Sequence, residues 1–90
     1  MSNENLILEC KIGLSIPVES TEFNHVLGQK IMAVKSFMKG AGVSDEVLED
    51  DLSLGVIVLG VTDLWNLVGG ETKFSTTFMV LMNQLAIRSS

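Results

Sequence analysis

Residues 52–68, LSLGVIVLGVTDLWNLV, restrict the possible folds of this chain more than any other stretch. The middle of the segment, 54–61, contains only apolar residues and glycine. A helix apolar around most of its circumference has two stable destinations, the interior of a bilayer or the interior of a helical domain. Glu49, Asp50 and Asp51 crowd its start, and Asp63 and Asn66 interrupt its second half. An aspartate well inside a bilayer costs about 3 kcal/mol, and no Lys or Arg stands close by to orient a span. The segment therefore predicts the central rod of a soluble bundle, sheathed by its neighbours and stopped at Gly69-Gly70.

The flanking sequence supplies that sheath. Leu6, Ile7, Cys10 and Leu14 recur at helical spacing and predict a first helix ending near Gly13, with Pro17 barring its continuation. The same stretch, LILECKIGLSI, also reads as an extended segment, because its polar residues nearly alternate. A second helix is predicted from a Ser20 or Thr21 cap, with Glu22 in its first turn. Its apolar stripe is Phe23, Val26, Leu27, Ile31, Val34, Phe37 and Met38, and Gly40 and Gly42 stop it. In the acidic connector over 43–51, Ser44 or Asp45 caps a short helical turn containing Glu46, Val47 and Leu48. The last helix opens at Ser75, with Phe74 placed to staple onto Met79. Its apolar face is Phe78, Leu81, Met82 and Leu85, and Arg88-Ser89-Ser90 read as a frayed polar tail. The expected fold is thus all-α, one domain over residues 1–90, a small bundle of about four helices around an apolar central helix.

Ninety residues have room for one core, and 47% apolar content is incompatible with a disordered chain. Six Lys or Arg against eleven Asp or Glu leave a net charge of −5, with the basic residues scattered at Lys11, Lys30, Lys35, Lys39, Lys73 and Arg88. Nucleic-acid binding needs clustered cations, so that class is disfavoured. Nothing at the start of the chain reads as a signal peptide. A lone Cys10 cannot build a disulfide framework.

Catalysis calls for converging titratable groups, and one histidine, one cysteine and no tyrosine offer few constellations. His25, flanking the stripe of the second helix, reads as an ordinary partly buried residue, and Cys10 as a packed small apolar one. Glu46, Glu49, Asp50 and Asp51 lack the alternating oxygens and central glycine of a calcium loop. Gly40-Ala41-Gly42 and Gly69-Gly70 follow helices, whereas phosphate cradles precede them. The methionines read as core filling in preference to the lining of an adaptable groove, and Trp65 as a core anchor in preference to an interface anchor. No enzyme, cofactor or metal site is expected.

The order of these pieces resembles the small head–tail connector proteins of tailed bacteriophages and prophages. The likeness runs from about Asn5 to Ile87, through "CKIGLSI", "EFNHVLGQKIMAVKSFMKGAG", "LGVIVLGVTDLWNLVGGE" and "KFSTTFMVLMNQLAI". Its matching positions are Trp65 near the end of the apolar helix, Ser75 opening the last helix, and Leu81 with Leu85 on its apolar face. Family members often carry an aromatic followed by a basic residue at the end of the apolar helix, where this chain has Asn66-Leu67-Val68-Gly69. The resemblance implies a virion assembly adaptor that joins a homo-oligomeric ring between the portal protein and the tail-side connector or stopper protein. It would sit at the head–tail junction of the virion, and in the bacterial cytoplasm during assembly, with no membrane involved. DNA would pass nearby without specific binding, and an acidic surface suits a wall that DNA slides past.

Two further readings stand beside it: a small intracellular helical module that dimerises and captures a partner, and a membrane-inserting phage protein using 52–68. Docking residues between packed helices tend to lie on connectors, so the expected interface is Asp45, Glu46, Glu49, Asp50, Asp51, Glu71 and Lys73, on the loops 41–51 and 69–73.

Overall fold

In a computed structural model, which describes residues 2–66 and 74–89, the described residues form five α-helices and no strand. They are α1 (Asn3–Gly13), α2 (Asn24–Gly40), the short α3 (Asp45–Leu48), α4 (Leu54–Trp65) and α5 (Thr76–Ser89), with a 3-10 turn at Asp51–Ser53. The all-α bundle expected from the sequence is what the chain adopts. No helix among the described residues is long and apolar enough to cross a membrane.

The apolar segment is shorter as a helix than its composition predicts. The 3-10 turn takes its first residues, because the Asp50 carboxylate accepts from the Leu52 N–H at 3.0 Å and tightens the chain there. Ser53, fully buried, donates its hydroxyl to the Val47 carbonyl and fixes the change of direction. Only from Leu54 does α4 run, and the predicted stop at Gly69-Gly70 lies outside the described residues. α4 is nonetheless the central rod, packing against α1, α2 and α5. Val56, Ile57, Gly60 and Val61 are its buried face.

Gly60 is where α4 is gripped. A Cβ there would fall 2.6 Å from Phe78 Cε1 on α5 and 2.8 Å from Val34 Cγ1 on α2, so only glycine admits both neighbours at this separation. Gly13 has a milder form of the same role: its Cβ would meet Val58 Cγ1 at 3.3 Å, where α1 lies against α4. The first helix ends at Gly13, where the sequence places its end, and Ser15 then turns the chain with φ 60°. The Ile16 N–H reaches the Lys11 carbonyl at 2.9 Å and the Ser15 N–H reaches that of Ile12 at 3.3 Å, the paired bonds of a Schellman ending. α2 ends in the same way with glycine in place, Gly42 at φ 105°, Val43 N–H on Met38 and Gly42 N–H on Lys39, each at 3.0 Å. Serine pays a left-handed penalty that glycine does not. Ser15→Gly is therefore expected to raise stability by about 0.5–1 kcal/mol net of backbone entropy, as a higher urea midpoint at unchanged slope.

The α2 stripe is narrower than predicted. Leu27, Ile31, Val34 and Met38 are buried, while Val26 and Phe37 lie about 40% exposed at its edges. The helix begins at Asn24 with no side-chain cap, rather than at a cap on Ser20 or Thr21. Ser20 is committed elsewhere: its carbonyl accepts from the Lys11 ammonium at 2.6 Å, and the Val18 carbonyl accepts from the same group at 3.3 Å. Lys11 is 4% exposed and holds the turn between α1 and α2 against the bundle.

At the other end, Phe74, expected to staple onto Met79, stacks on Phe78 at 4.4 Å, and Phe37 lies 4.8 Å from Phe74. Ser75 caps α5 as predicted, accepting from the Phe78 N–H at 3.2 Å, while the Ser75 N–H donates to the Asp63 carboxylate at 2.9 Å. Asp63, the residue that argued against a bilayer, thus ties the start of α5 to α4. Ser89 belongs to α5 rather than to a frayed tail, because its hydroxyl donates to Leu85 and accepts from the Ser44 N–H at 2.9 Å.

Candidate acidic connector and apolar groove

The connector is built stiff from the backbone up. Gly42 turns the chain out of α2, Val43 and Leu48 are buried as anchors, and the Ser44 hydroxyl caps α3 by accepting from the Val47 N–H at 3.2 Å. Ser44 is tied to α5 through Ser89, and Ser53 to Val47, so both ends of α3 are pinned. On this frame Asp45, Glu46, Glu49, Asp50 and Asp51 are all exposed. Asp45 pairs with Lys39 at 3.0 Å across the α2–α3 turn. Both side chains are more than half exposed, so the pair contributes under about 1 kcal/mol. The remaining predicted interface residues, Glu71 and Lys73, lie outside the described residues. Among the described residues no group of three or more His, Cys, Asp or Glu side chains converges as a metal site.

Cys10 is fully buried on the α1 face, as expected. Burial pushes its thiol up to about 11, and the neighbouring Glu9 carboxylate adds in the same direction. A thiol whose folded pKa exceeds its unfolded one stabilises the fold fully below the unfolded value and loses that contribution as pH rises through the folded value. The stability advantage of the native chain over Cys10→Ala is thus expected to hold constant below pH 9 and shrink by up to about 3 kcal/mol towards pH 11. Urea titrations of both proteins across that range check the slope.

His25 is exposed rather than partly buried. It lines an open depression of about 400 Å³ with Asn3, Asn24, Gly28, Gln29 and Met32. The methionines divide: Met38 and Met82 fill the core, whereas Met32 is 67% exposed. Trp65 is half-buried, its ring edge-on to Phe23 at 5.6 Å, which makes it an anchor of the core flank.

Two features of this surface are not singled out by sequence patterning. One is the Lys11 clamp, whose only sequence trace is a basic residue beside Cys10 and Leu14 on an apolar face, ahead of a proline. The other is a groove of about 160 Å³ between the start of α4 and α5, lined by Leu52, Val56, Leu81, Leu85, Gln84 and Arg88. It arises because the 3-10 turn carries Leu52 outward, 52% exposed, while α5 supplies the opposite wall. Comparison of the chain with protein-family models, with curated proteins and with solved structures finds no match.

Proposed function

We propose that this chain is a docking protein, and specifically a head–tail connector adaptor that enters a ring between a phage or prophage portal and the next tail component. One observation carries the docking part: large apolar side chains remain outside a bundle whose core is already closed. Leu6, Leu27, Val34, Ile57 and Phe78 are fully buried, yet Leu8, Ile12, Met32 and Leu52 stand 41–67% exposed. Leu8 and Ile12 lie one turn apart on α1 and so form a short apolar strip instead of isolated exposed side chains, which suits a surface that a partner covers. The stiff acidic connector adds a charged, preordered edge, and order before binding lowers the entropy cost of docking. The connector reading rests in addition on the helix order and the positions of Trp65, Ser75, Leu81 and Leu85.

Co-purification with portal-bearing heads assembled from the same genome tests it. The expected result is a stoichiometric ring on the portal, absent from heads of an unrelated phage. Heads that mature and bind tails without incorporating this chain would sink the proposal. A dimerising regulatory module is the second reading, favoured by the small depression between α4 and α5, where Leu52 and Leu81 beside Gln84 and Arg88 offer a partner side chain a mixed apolar and polar seat. A soluble dimer with a cytoplasmic partner and no affinity for heads would install it instead.

A further inference from the structure

We draw no further inference here: the strongest candidate, the open depression of about 400 Å³ between the start of α1 and the first half of α2, is lined by the exposed Asn3, His25, Gln29 and Met32 with nothing in the structure to show what covers it, and the unpartnered Asn24 Oδ1 beside it is buried out of reach of anything seated there.

Discussion

Gly60→Leu is expected to leave the domain largely unfolded at 25 °C, and Gly60→Ala to destabilise it by about 1–2 kcal/mol although alanine is the better helix former. At an exposed helix position the glycine-to-alanine change gains about 1 kcal/mol. Position 60 reverses that sign because the new methyl would stand 2.6 Å from Phe78 Cε1 and 2.8 Å from Val34 Cγ1. Neither neighbour can swing aside. Phe78 is stacked on Phe74 and lies near Phe37, and Val34 is a β-branched residue buried on α2. Relief requires α4 to move away from α2 or α5, which opens the core beside it. A chain of this length holds roughly 5–13 kcal/mol of stability, so a leucine at 60 uses up most of it. Phe78→Leu separates this cause from a general helix effect: it removes the ring that the new methyl would strike. The double variant Gly60→Ala with Phe78→Leu should be less destabilised than the two singles summed, by about 1 kcal/mol or more. Chemical denaturation of the four proteins reads the coupling, and additivity would rule out the close approach.

The same position shows how far the sequence could be read. Helix type and order follow from apolar spacing, which is a local property of each segment, so the buried faces of α2 and α5 were legible as Leu27, Ile31, Val34 and Met38 and as Phe78, Met82 and Leu85. Ser75 was legible as a cap, and Ser44 as one of two candidates with Asp45, because a cap is decided within four residues. What the sequence hides is set by tertiary approach. Gly60 looks like any glycine in an apolar run until α2 and α5 are placed beside it. The helix end near Gly13 was legible, but the left-handed residue that closes it, Ser15, was not, since serine is not a residue that spacing marks for that conformation. Of the expected interface, the carboxylates of the connector are where an outward edge was anticipated, since charged side chains seldom find partners inside so small a core. The α4–α5 groove was not legible, because its walls come from segments far apart in the chain and its outer wall depends on a 3-10 turn that composition gave no reason to expect.

Lys11→Ala is expected to cost about 3 kcal/mol, and Lys11→Met about half of that. The two losses differ because the lysine contributes twice. Its aliphatic stem fills space on the buried side of α1, where the residue is 4% exposed, and methionine retains most of that packing. Its ammonium donates to the Ser20 and Val18 carbonyls at 2.6 and 3.3 Å, which no apolar side chain can replace. Charge-assisted bonds to carbonyls contribute about 1.5–3 kcal/mol, offset here by the cost of drawing an ammonium out of water. The ammonium's role is also local. Since it grips residues 18 and 20, its removal should release the turn between α1 and α2 before the bundle as a whole. Native-state hydrogen exchange of Lys11→Met should therefore show faster exchange at Ser20 and Asn24, whose N–H groups close turns onto Pro17 and Thr21, while amides in the middle of α2 slow or quicken only with global stability. Uniform acceleration across α1, α2 and α4 would mean that Lys11 acts as a packing residue alone. Selective acceleration would identify it as the latch that sets the path of the chain from the first helix into the second, and with it the placement of α1 against α4.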